Sequence, residues 1–464
     1  MMKRYLLCLI VLFLLLSGLM VTPPSITHAA PSSCIDPNGT NVLEGTLGGA
    51  NYTIAVPSNW KGTLILYSHG YVFPNQPLLN PAVDVSNPMV KALLQQGYAE
   101  AGSSYSQNGW AVQQAFHDQI ALLDFFNATC GHPSRTIAAG NSLGGIITAG
   151  LVQLYPDRFA GALPLCGPLA GSVGNWNQGL DGAFAFNALL AGSSLSLVHL
   201  TDPTGTFNQA EGILAAAQQT AAGRARIALM AALADLPGWF DPASPEPASQ
   251  DVTTQEQNQF LWIRQIDLAF VFLGRAELEA RAAGNPSWNT GVNYSQQLER
   301  SADYNEVQAL YQQARLSLQS DLSTLAAAPR IQADPGALQY LSSYIIFNGD
   351  VKIPVLTMHT TGDGWVVNQN EQAYASVVRA AKDSSLLREL FVQRAGHCTF
   401  TPAETLTAFQ TLIHRLDTGK WDDSTNPDLL NQEAAALGPT LNIVPPAFLN
   451  FEPTPFLRPF DVRN

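Results

Sequence analysis

The chain has 464 residues, of which 46% are hydrophobic and 13% are charged, with 36 acidic against 23 basic side chains. This acidic balance argues against nucleic acids and anionic membranes as partners. The hydrophobic content is sufficient for a large folded core, and no stretch has a composition that predicts disorder.

Residues 1–29 predict a secretory signal peptide. Lys3 and Arg4 give a positive start, an apolar run covers 5–20, and small residues precede a cleavage site after Ala29. An uncleaved anchor is the alternative, although the apolar run is slightly short for a membrane-spanning helix. Removing this segment leaves 21 basic against 36 acidic side chains, a net charge of −15. We therefore expect a secreted protein with no stable membrane association.

Short apolar runs alternate with helix-like stretches in the first part of the mature chain. Residues 42–56 alternate around a Gly-Gly turn, which predicts an antiparallel hairpin. Later runs predict strands over 63–68, 98–105, 135–139 and 162–166, with helices over 87–97 and 109–127. This alternation predicts an α/β fold with a mostly parallel sheet and helices on both faces.

The stretch Gly140-Asn141-Ser142-Leu143-Gly144 carries the most chemical information. It follows a β-branched run and precedes small, apolar residues, so it predicts a strand, a sharp turn and a helix. Such a turn raises the Ser142 hydroxyl above the sheet at a helix N-terminus, where the dipole favours negative charge. The stretch resembles the nucleophile elbow of the α/β-hydrolase superfamily. Taken alone, it also fits a glycine-rich turn without chemistry.

Two later loops extend the resemblance. A predicted strand over 353–359 leads into Thr-x-Gly-Asp363, and a predicted strand over 386–392 leads into Ala-Gly-His397. In α/β hydrolases the nucleophile, the acid and the histidine follow one another in this order. The resemblance therefore implies a catalytic triad of Ser142, Asp363 and His397.

Each of the later triad positions has a rival. Asp350 precedes its strand and is expected at the wrong end of the sheet, and His359 lies before the acid and is interpreted as a packing residue. The resemblance also implies an oxyanion hole. Its backbone N–H donors are expected at Leu143, directly after the nucleophile, and at Tyr71, after the third strand.

Residues 168–346 lose the strand–helix alternation. Helix-period stretches cover 172–191, 205–235, 253–283 and 304–327, and they predict a helical cap inserted into a core of 30–167 and 347–420. Aromatic side chains there are expected mostly in packing, with some lining a pocket: Trp176, Phe184, Phe186, Trp239, Trp262 and Phe270. Residues 421–464 are rich in proline and predict an extended C-terminal tail.

Four cysteines remain after signal cleavage: Cys34, Cys130, Cys166 and Cys398. An even count in an exported chain favours two disulfides, with three possible pairings. Cys166 and Cys398 are both expected at the carboxyl end of the sheet, which favours their pairing and leaves Cys34 with Cys130. Buried free thiols are the alternative. No metal-ligand spacing occurs, and neither a metal nor a cofactor is expected.

The resemblance implies a secreted serine hydrolase that cleaves a small carboxylic ester through an acyl-enzyme. A serine peptidase of the prolyl-oligopeptidase or aminopeptidase type, acting on short peptides, is the alternative. A peptidase that binds a free amino terminus would need a carboxylate pair in the cap, such as Glu277 with Glu279. A third hypothesis is a non-catalytic binding protein on the same fold. The oligomeric state is left open.

Overall fold

Within residues 34–460, the part of the chain that the computed structural model describes, the chain forms a nine-stranded sheet. The predicted signal peptide, 1–29, lies outside the described residues. The strands are β1 (Asn41–Leu47), β2 (Ala50–Val56), β3 (Thr63–Ser68), β4 (Tyr98–Ser103), β5 (Arg135–Asn141), β6 (Gly161–Leu165), β7 (Val355–Gly362), β8 (Leu387–Ala395) and β9 (Phe448–Leu449).

The sheet has the strand order β1-β2-β4-β3-β5-β6-β7-β8-β9. Neighbouring strands from β4 across to β8 pair in parallel, whereas β1, β2 and β9 pair antiparallel at the edges. Parallel strands are buried on both faces, which explains the apolar run in β3, where Leu64 and Leu66 are inaccessible to solvent. The predicted fold class is confirmed.

Helices surround the sheet and fill the insertion after β6. They are α1 (Pro88–Gln95), α2 (Val112–Cys130), α3 (Leu143–Leu154), α4 (Gly171–Leu189), α5 (Pro203–Gln218), α6 (Ala221–Leu233), α7 (Val252–Trp262), α8 (Arg275–Ala282), α9 (Tyr294–Arg300), α10 (Tyr304–Ala314), α11 (Leu318–Ala327), α12 (Pro335–Ser343), α13 (Gln369–Ala381), α14 (Pro402–Thr418) and α15 (Pro427–Ala436). One sheet face packs against α1 and α14, and the other against α2, α3 and α13.

The cap, which is the helical segment from α4 to α12, has a hydrophobic core of its own. Buried side chains such as Leu180, Phe186 and Leu229 from α4 and α6 form its centre. Between α7 and α8 the chain is π-helical over Ile263–Asp267 and Phe270–Gly274. Such widened turns are rare and often occur at functional sites. Here they face the loops that carry the candidate catalytic residues.

The C-terminal tail differs from the extended form predicted for 421–464. It contains the helix α15, which Asn426 caps by accepting the N–H groups of Asp428 and Leu429. Leu430 lies buried against the core, and this burial stabilises a helix that a proline-rich tail does not suggest. Farther on, β9 adds to the edge of the sheet beside β8.

Two disulfides tie the chain together: Cys34–Cys130 and Cys166–Cys398. The first holds the start of the described chain to the end of α2. The second joins the end of β6 to the loop after β8, and both of its cysteines lie at the carboxyl end of the sheet, where the sequence analysis put them. Across 34–460, no helix combines the length and the apolar character needed to span a membrane.

Candidate active site

Ser142 lies in the turn between β5 and α3. Its backbone has φ 59° and ψ −126°, a strained conformation for a residue with a side chain. The turn is tight, because a Cβ on Gly144 would lie 1.9 Å from the carbonyl oxygen of Ser68. Only glycine fits there, as an elbow between a strand and a helix requires. The fold therefore holds the Ser142 hydroxyl in one position above the sheet.

The structure brings Ser142, His397 and Asp363 together from three separate loops. His397 Nε2 lies 2.7 Å from Ser142 Oγ, and His397 Nδ1 lies 2.7 Å from Asp363 Oδ2. The other carboxylate oxygen, Oδ1, accepts the N–H groups of Trp365 and Val366, each at 3.0 Å. These contacts form the geometry in which a histidine takes a proton from a serine while a carboxylate orients it.

Asp363 is completely buried, and burial alone would raise the pKa of its carboxyl group. Contacts with His397 and His359 outweigh burial, and the net effect lowers the pKa below its usual value. The carboxylate therefore stays ionised at neutral pH and accepts the Nδ1–H of His397. That bond selects the tautomer whose Nε2 is free to accept the serine proton.

A buried histidine–glutamate pair lies behind Asp363. His359 Nδ1 is 2.9 Å from Glu371 Oε1, and His359 Nε2 is 2.7 Å from the Val366 carbonyl oxygen and 3.5 Å from Asp363 Oδ2. Burial opposes charge on His359, but contacts with Asp363 and Glu371 raise its pKa to about 10. Both ring nitrogens face acceptors, and the raised pKa favours the protonated ring. His359 therefore makes polar contacts with Asp363 and Glu371 beyond the packing role expected for it.

Sequence reasoning missed Glu371, which comes from α13. The only signal was a histidine within a buried strand, and a histidine without a solvent contact needs polar partners. Nothing in the spacing identified that partner. Asp350, the rival acid, lies before β7 and pairs with Lys352 on the surface, away from the triad.

The two expected oxyanion donors flank Ser142. Leu143 is the first residue of α3, so its N–H lies in the turn that lacks helical acceptors. Gly70 packs against the nucleophile, since a Cβ there would lie 3.2 Å from Ser142 Cβ, and Tyr71 follows directly. Tyr105 fixes this loop by donating its hydroxyl to the His69 carbonyl at 3.0 Å and by stacking on the His69 ring.

The disulfide Cys166–Cys398 borders the histidine. Cys398 Sγ lies 3.5 Å from His397 Nε2, so the bond fixes the histidine loop to the end of β6. Within the described chain, Cys166, His397 and Cys398 each have one possible metal-ligand atom, and these three atoms lie within 4.8 Å of one another. Disulfide sulfurs are not thiolates, and thiolate is the form that binds metals. The cluster is therefore not suited to hold a metal.

Aromatic side chains from the cap and from the loop after β7 lie near the site. Trp365 lies 5.1 Å from the His397 ring, and Phe270 lies 5.7 Å from the Tyr71 ring, measured between ring centroids. Trp176 stacks on Phe270 at 4.4 Å. A cavity of about 50 Å³ lies among Trp365, Phe270 and Trp176. Two of the six cap aromatics that we singled out therefore line a cavity beside the site, whereas Phe184 and Phe186 belong to the cap core.

A second, larger cleft of about 460 Å³ opens next to the elbow. His69, Asn141 and Cys398 line its upper part, and Glu100 lies in its wall. Burial raises the pKa of Glu100 to about 8, so this carboxyl group is mostly neutral at pH 7. Asn141, directly before the nucleophile, thus borders this cleft, and Trp365, close to the His397 ring, borders the small aromatic cavity.

The carboxylate pair that an aminopeptidase-like enzyme would need is already occupied. Glu277 pairs with Arg281 at 2.6 Å and accepts the backbone N–H of Trp110 at 2.9 Å. Glu279 accepts the N–H groups of His199 and Leu200 at 2.9 and 3.2 Å. Glu277 thus fastens the cap to the segment before α2, whereas Glu279 holds two segments of the cap together. They are not available as a pair for a substrate amine.

No protein-family model matches this chain. The chain is similar to the o-phthalyl amidase of Xanthobacter agilis, with 30% identity over 420 residues that cover 84% of this chain and 89% of that protein. Among solved structures, the rice cell wall degrading esterase LipA of Xanthomonas oryzae has 13% identity and a TM-score of 0.37, covering 82% of this chain and 88% of that chain. Feruloyl esterase B of Aspergillus oryzae has 17% identity and a TM-score of 0.38, covering 82% and 80%.

Proposed function

Since this chain belongs to the α/β-hydrolase family of the Xanthobacter agilis o-phthalyl amidase and is a hydrolase, we propose that it is a serine hydrolase acting on the amide of an aromatic carboxylic acid. The observation that carries the proposal is the hydrogen-bonded series from Ser142 through His397 to Asp363. The relative's name supports an amide and an aromatic acyl group. The same chemistry cleaves the esters that the sequence motifs favoured, so we expect activated esters to react as well.

In the proposed mechanism, Ser142 Oγ attacks the carbonyl carbon while His397 Nε2 takes the hydroxyl proton. The backbone N–H groups of Leu143 and Tyr71 stabilise the oxyanion. His397 then gives the proton to the leaving nitrogen, the C–N bond breaks, and the acyl-enzyme forms. Water attacks this ester with His397 again as the base, which releases the acid and restores Ser142. Asp363 stays ionised throughout and stabilises the imidazolium.

Partly exposed aromatic side chains support an aromatic substrate. Phe270 and Trp365 border the small cavity beside the triad, and aromatic rings favour stacked or edge-on contact with one another. The larger cleft is lined by Asn141, directly before the nucleophile, and by Cys398, directly after the histidine, so it is a candidate for the leaving amine. We propose that the acyl group lies beneath the cap and the amine in this cleft.

The test compares the mature wild type with Ser142→Ala, and with Ser323→Ala as an exposed-serine control. All three are assayed on phthalyl and benzoyl 4-nitroanilides, 4-nitrophenyl esters and peptidyl 4-nitroanilides. We expect Ser142→Ala to lower kcat/KM by at least about 10⁴-fold, and the control to match the wild type. Hydrolysis that survives in Ser142→Ala would refute the proposed nucleophile.

Inactivity of the wild type on every substrate, together with failure of Ser142 to react with a fluorophosphonate, would favour the binding-protein hypothesis. If only peptidyl anilides were cleaved, the peptidase alternative would replace the amidase proposal.

We also propose that the protein is exported after removal of 1–29. The two disulfides support an oxidising compartment. N-terminal sequencing of the exported protein is expected to begin at Ala30, and an intact Met1 would contradict the cleavage.

A further inference from the structure

Glu100 is a buried acidic residue without a partner of opposite charge. It lies in β4, opposite Ala55 of β2 and Ile65 of β3, and only 2% of its surface is exposed to solvent. Its Oε2 is shielded from solvent and has no hydrogen-bond partner. Burial raises the pKa of its carboxyl group to about 8, and within residues 34–460 no basic side chain counteracts this effect. Buried polar groups are normally paired, so this carboxyl group indicates a use beyond packing.

Glu100 lines the cleft of about 460 Å³ next to the elbow. Asn141, directly before the nucleophile, and Cys398, directly after the histidine, line the same cleft. Its volume lies within the roughly 300–1,000 Å³ that small-molecule sites occupy. A group bound at Glu100 would therefore share one cleft with the residues that adjoin Ser142 and His397.

The charged side chains of this cleft are acidic. Among the described residues that line it, Glu100 and Asp84 are the acids, and neither lysine nor arginine is present. The hydroxyl and the backbone N–H of Ser86 donate to Asp84 Oδ1 at 2.6 and 2.8 Å. These contacts lower the pKa of Asp84, so its carboxylate stays ionised at neutral pH. The cleft therefore carries negative charge that neither lysine nor arginine offsets.

The histidine and the tyrosine that line the cleft are neutral. Burial lowers the pKa of His69 more than two nearby carbonyl groups raise it. Burial also raises the pKa of Tyr67, whose hydroxyl donates to Asn141 Oδ1. Neither side chain provides a positive charge for Glu100 at pH 7. A ligand can provide it.

Two helix N-termini, those of α1 and α14, border the cleft, and such termini attract anions. Side chains already cap both of them. Asn87 accepts the N–H of Met89 at 2.9 Å at the start of α1. Thr401 accepts the N–H of Glu404 at 3.1 Å at the start of α14. An anion would also lie near the acidic side chains of the cleft, so its electrostatics favour a cation.

We propose that Glu100 forms an ion pair with a guanidinium or ammonium group on the leaving amine of the substrate. The proposal rests on the proposed hydrolase function and gives its substrate class, an aromatic amide whose amine carries a second, positively charged nitrogen. A guanidinium complements a carboxylate because it donates two parallel hydrogen bonds. Hydrolysis breaks the C–N bond of the amide and adds water across it, and the released amine keeps its charge. Glu100 is a specificity-determining residue, since it binds a part of the substrate that does not react.

The experiment compares charged and neutral leaving groups of the same shape. The probes are benzoyl anilides with a para chain of one, two or three methylenes that ends in a guanidinium or in the neutral urea of equal size. The released aniline is quantified by chromatography. We expect the wild type to prefer the guanidinium at one chain length by at least about 30-fold in kcat/KM, and Glu100→Gln to bring this ratio close to one. The preferred length reports how far the carboxylate lies from the scissile carbonyl.

Glu256→Gln is the matched control. This cap glutamate is also buried, has an Oε1 without a partner and has a pKa that burial raises to about 7, but it does not line the cleft. Its replacement should leave the ratio unchanged. A purely structural role for Glu100 would lower kcat/KM equally for both members of each pair, and that result would overturn the proposal. If the wild type showed no preference while Ser142→Ala abolished turnover, the cation subsite would fail and the hydrolase function would stand.

The pH dependence of the wild-type ratio is a test that does not need a folded variant. With a pKa of about 8, Glu100 is mostly neutral at pH 6 and mostly ionised at pH 9, whereas the guanidinium stays charged. Asp84 stays ionised, and His69 and Tyr67 stay mostly neutral over this range. Titration of His397 affects both substrates of a pair and cancels in the ratio. We expect the preference for the guanidinium to rise at least about fivefold from pH 6 to pH 9. A constant ratio would overturn Glu100 as the partner of the cation.

Discussion

The buried pair of His359 and Glu371 predicts a specific pH dependence of stability. The perturbation is the double variant His359→Gln/Glu371→Gln, which replaces both groups with neutral amides of similar size. Both side chains are inaccessible to solvent, and the imidazole also lies 3.5 Å from the Asp363 carboxylate. Replacing a buried ion pair by neutral groups can either raise or lower the free energy of unfolding at any one pH. The informative quantity is therefore how the stability difference changes with pH.

The pKa of His359 is raised from 6.5 to about 10 by the contacts described above, which outweigh burial. A tenfold change in a protonation equilibrium corresponds to about 1.4 kcal/mol. A raised pKa stabilises the folded state fully below the unfolded pKa of 6.5, and this stabilisation is lost as the pH rises through 10. The contribution falls from about 5 kcal/mol at pH 6 to about 1–2 kcal/mol at pH 9.

We expect the free energy of unfolding of the wild type, relative to the double variant, to fall by about 3 kcal/mol between pH 6 and pH 9. Urea unfolding followed by tryptophan fluorescence measures it, with each comparison made at one pH so that other titrating groups cancel. The single variant His359→Gln is the control, because it leaves Glu371 buried without its partner. We expect it to be less stable than the double variant at pH 9. A wild-type advantage that stayed constant within about 0.5 kcal/mol would refute a charged His359.

Three further predictions concern the catalytic loops. Asp363→Asn should lower kcat/KM by about 10³–10⁴-fold, because an amide favours the wrong histidine tautomer; a loss below tenfold would contradict the role of the acid. Gly144→Ala should destabilise the protein by at least about 3 kcal/mol, since its Cβ would lie 1.9 Å from the Ser68 carbonyl oxygen; an unchanged Tm would contradict that packing. Replacing Cys166 and Cys398 by alanine should lower the free energy of unfolding by about 2–5 kcal/mol and should also lower kcat. Replacing Cys34 and Cys130 by alanine should lower the free energy of unfolding and leave kcat unchanged. Equal kcat in the two variants would show that the Cys166–Cys398 bond does not position the histidine.

The fold class was predictable because its determinants are local. Strand and helix periods alternate along the core, and each loop at the carboxyl end of the sheet carries a compact motif with one conformational requirement. Ser142 is an example, since a side chain at positive φ needs glycine neighbours that the sequence displays openly. Parallel strands bring their carboxyl ends to one edge of the sheet. The sequence therefore predicts one site for Ser142 and Asp363, although they are 221 positions apart.

The layer behind the triad was not predictable in this way. Glu371 lies on a helix whose sequence is typical of a solvated surface, and its burial depends on how that helix packs beneath β7. The tail posed the same difficulty. The ion pair between Arg394 and Glu404, with Arg394 donating to the Pro445 carbonyl oxygen, holds the tail against the core. Pairings of this kind join distant segments and leave no periodic pattern in the sequence.

The cap sets a further limit on what the sequence can indicate. Its helices repeat the same alanine, leucine and glutamine composition, so position along the chain does not distinguish a packing residue from one that faces substrate. Arg275 stands out only through the combination of complete burial, neutral hydrogen-bond acceptors and a cavity next to Trp365. A buried charge that packing leaves without an opposite charge can therefore be recognised only once the neighbours of the side chain are known.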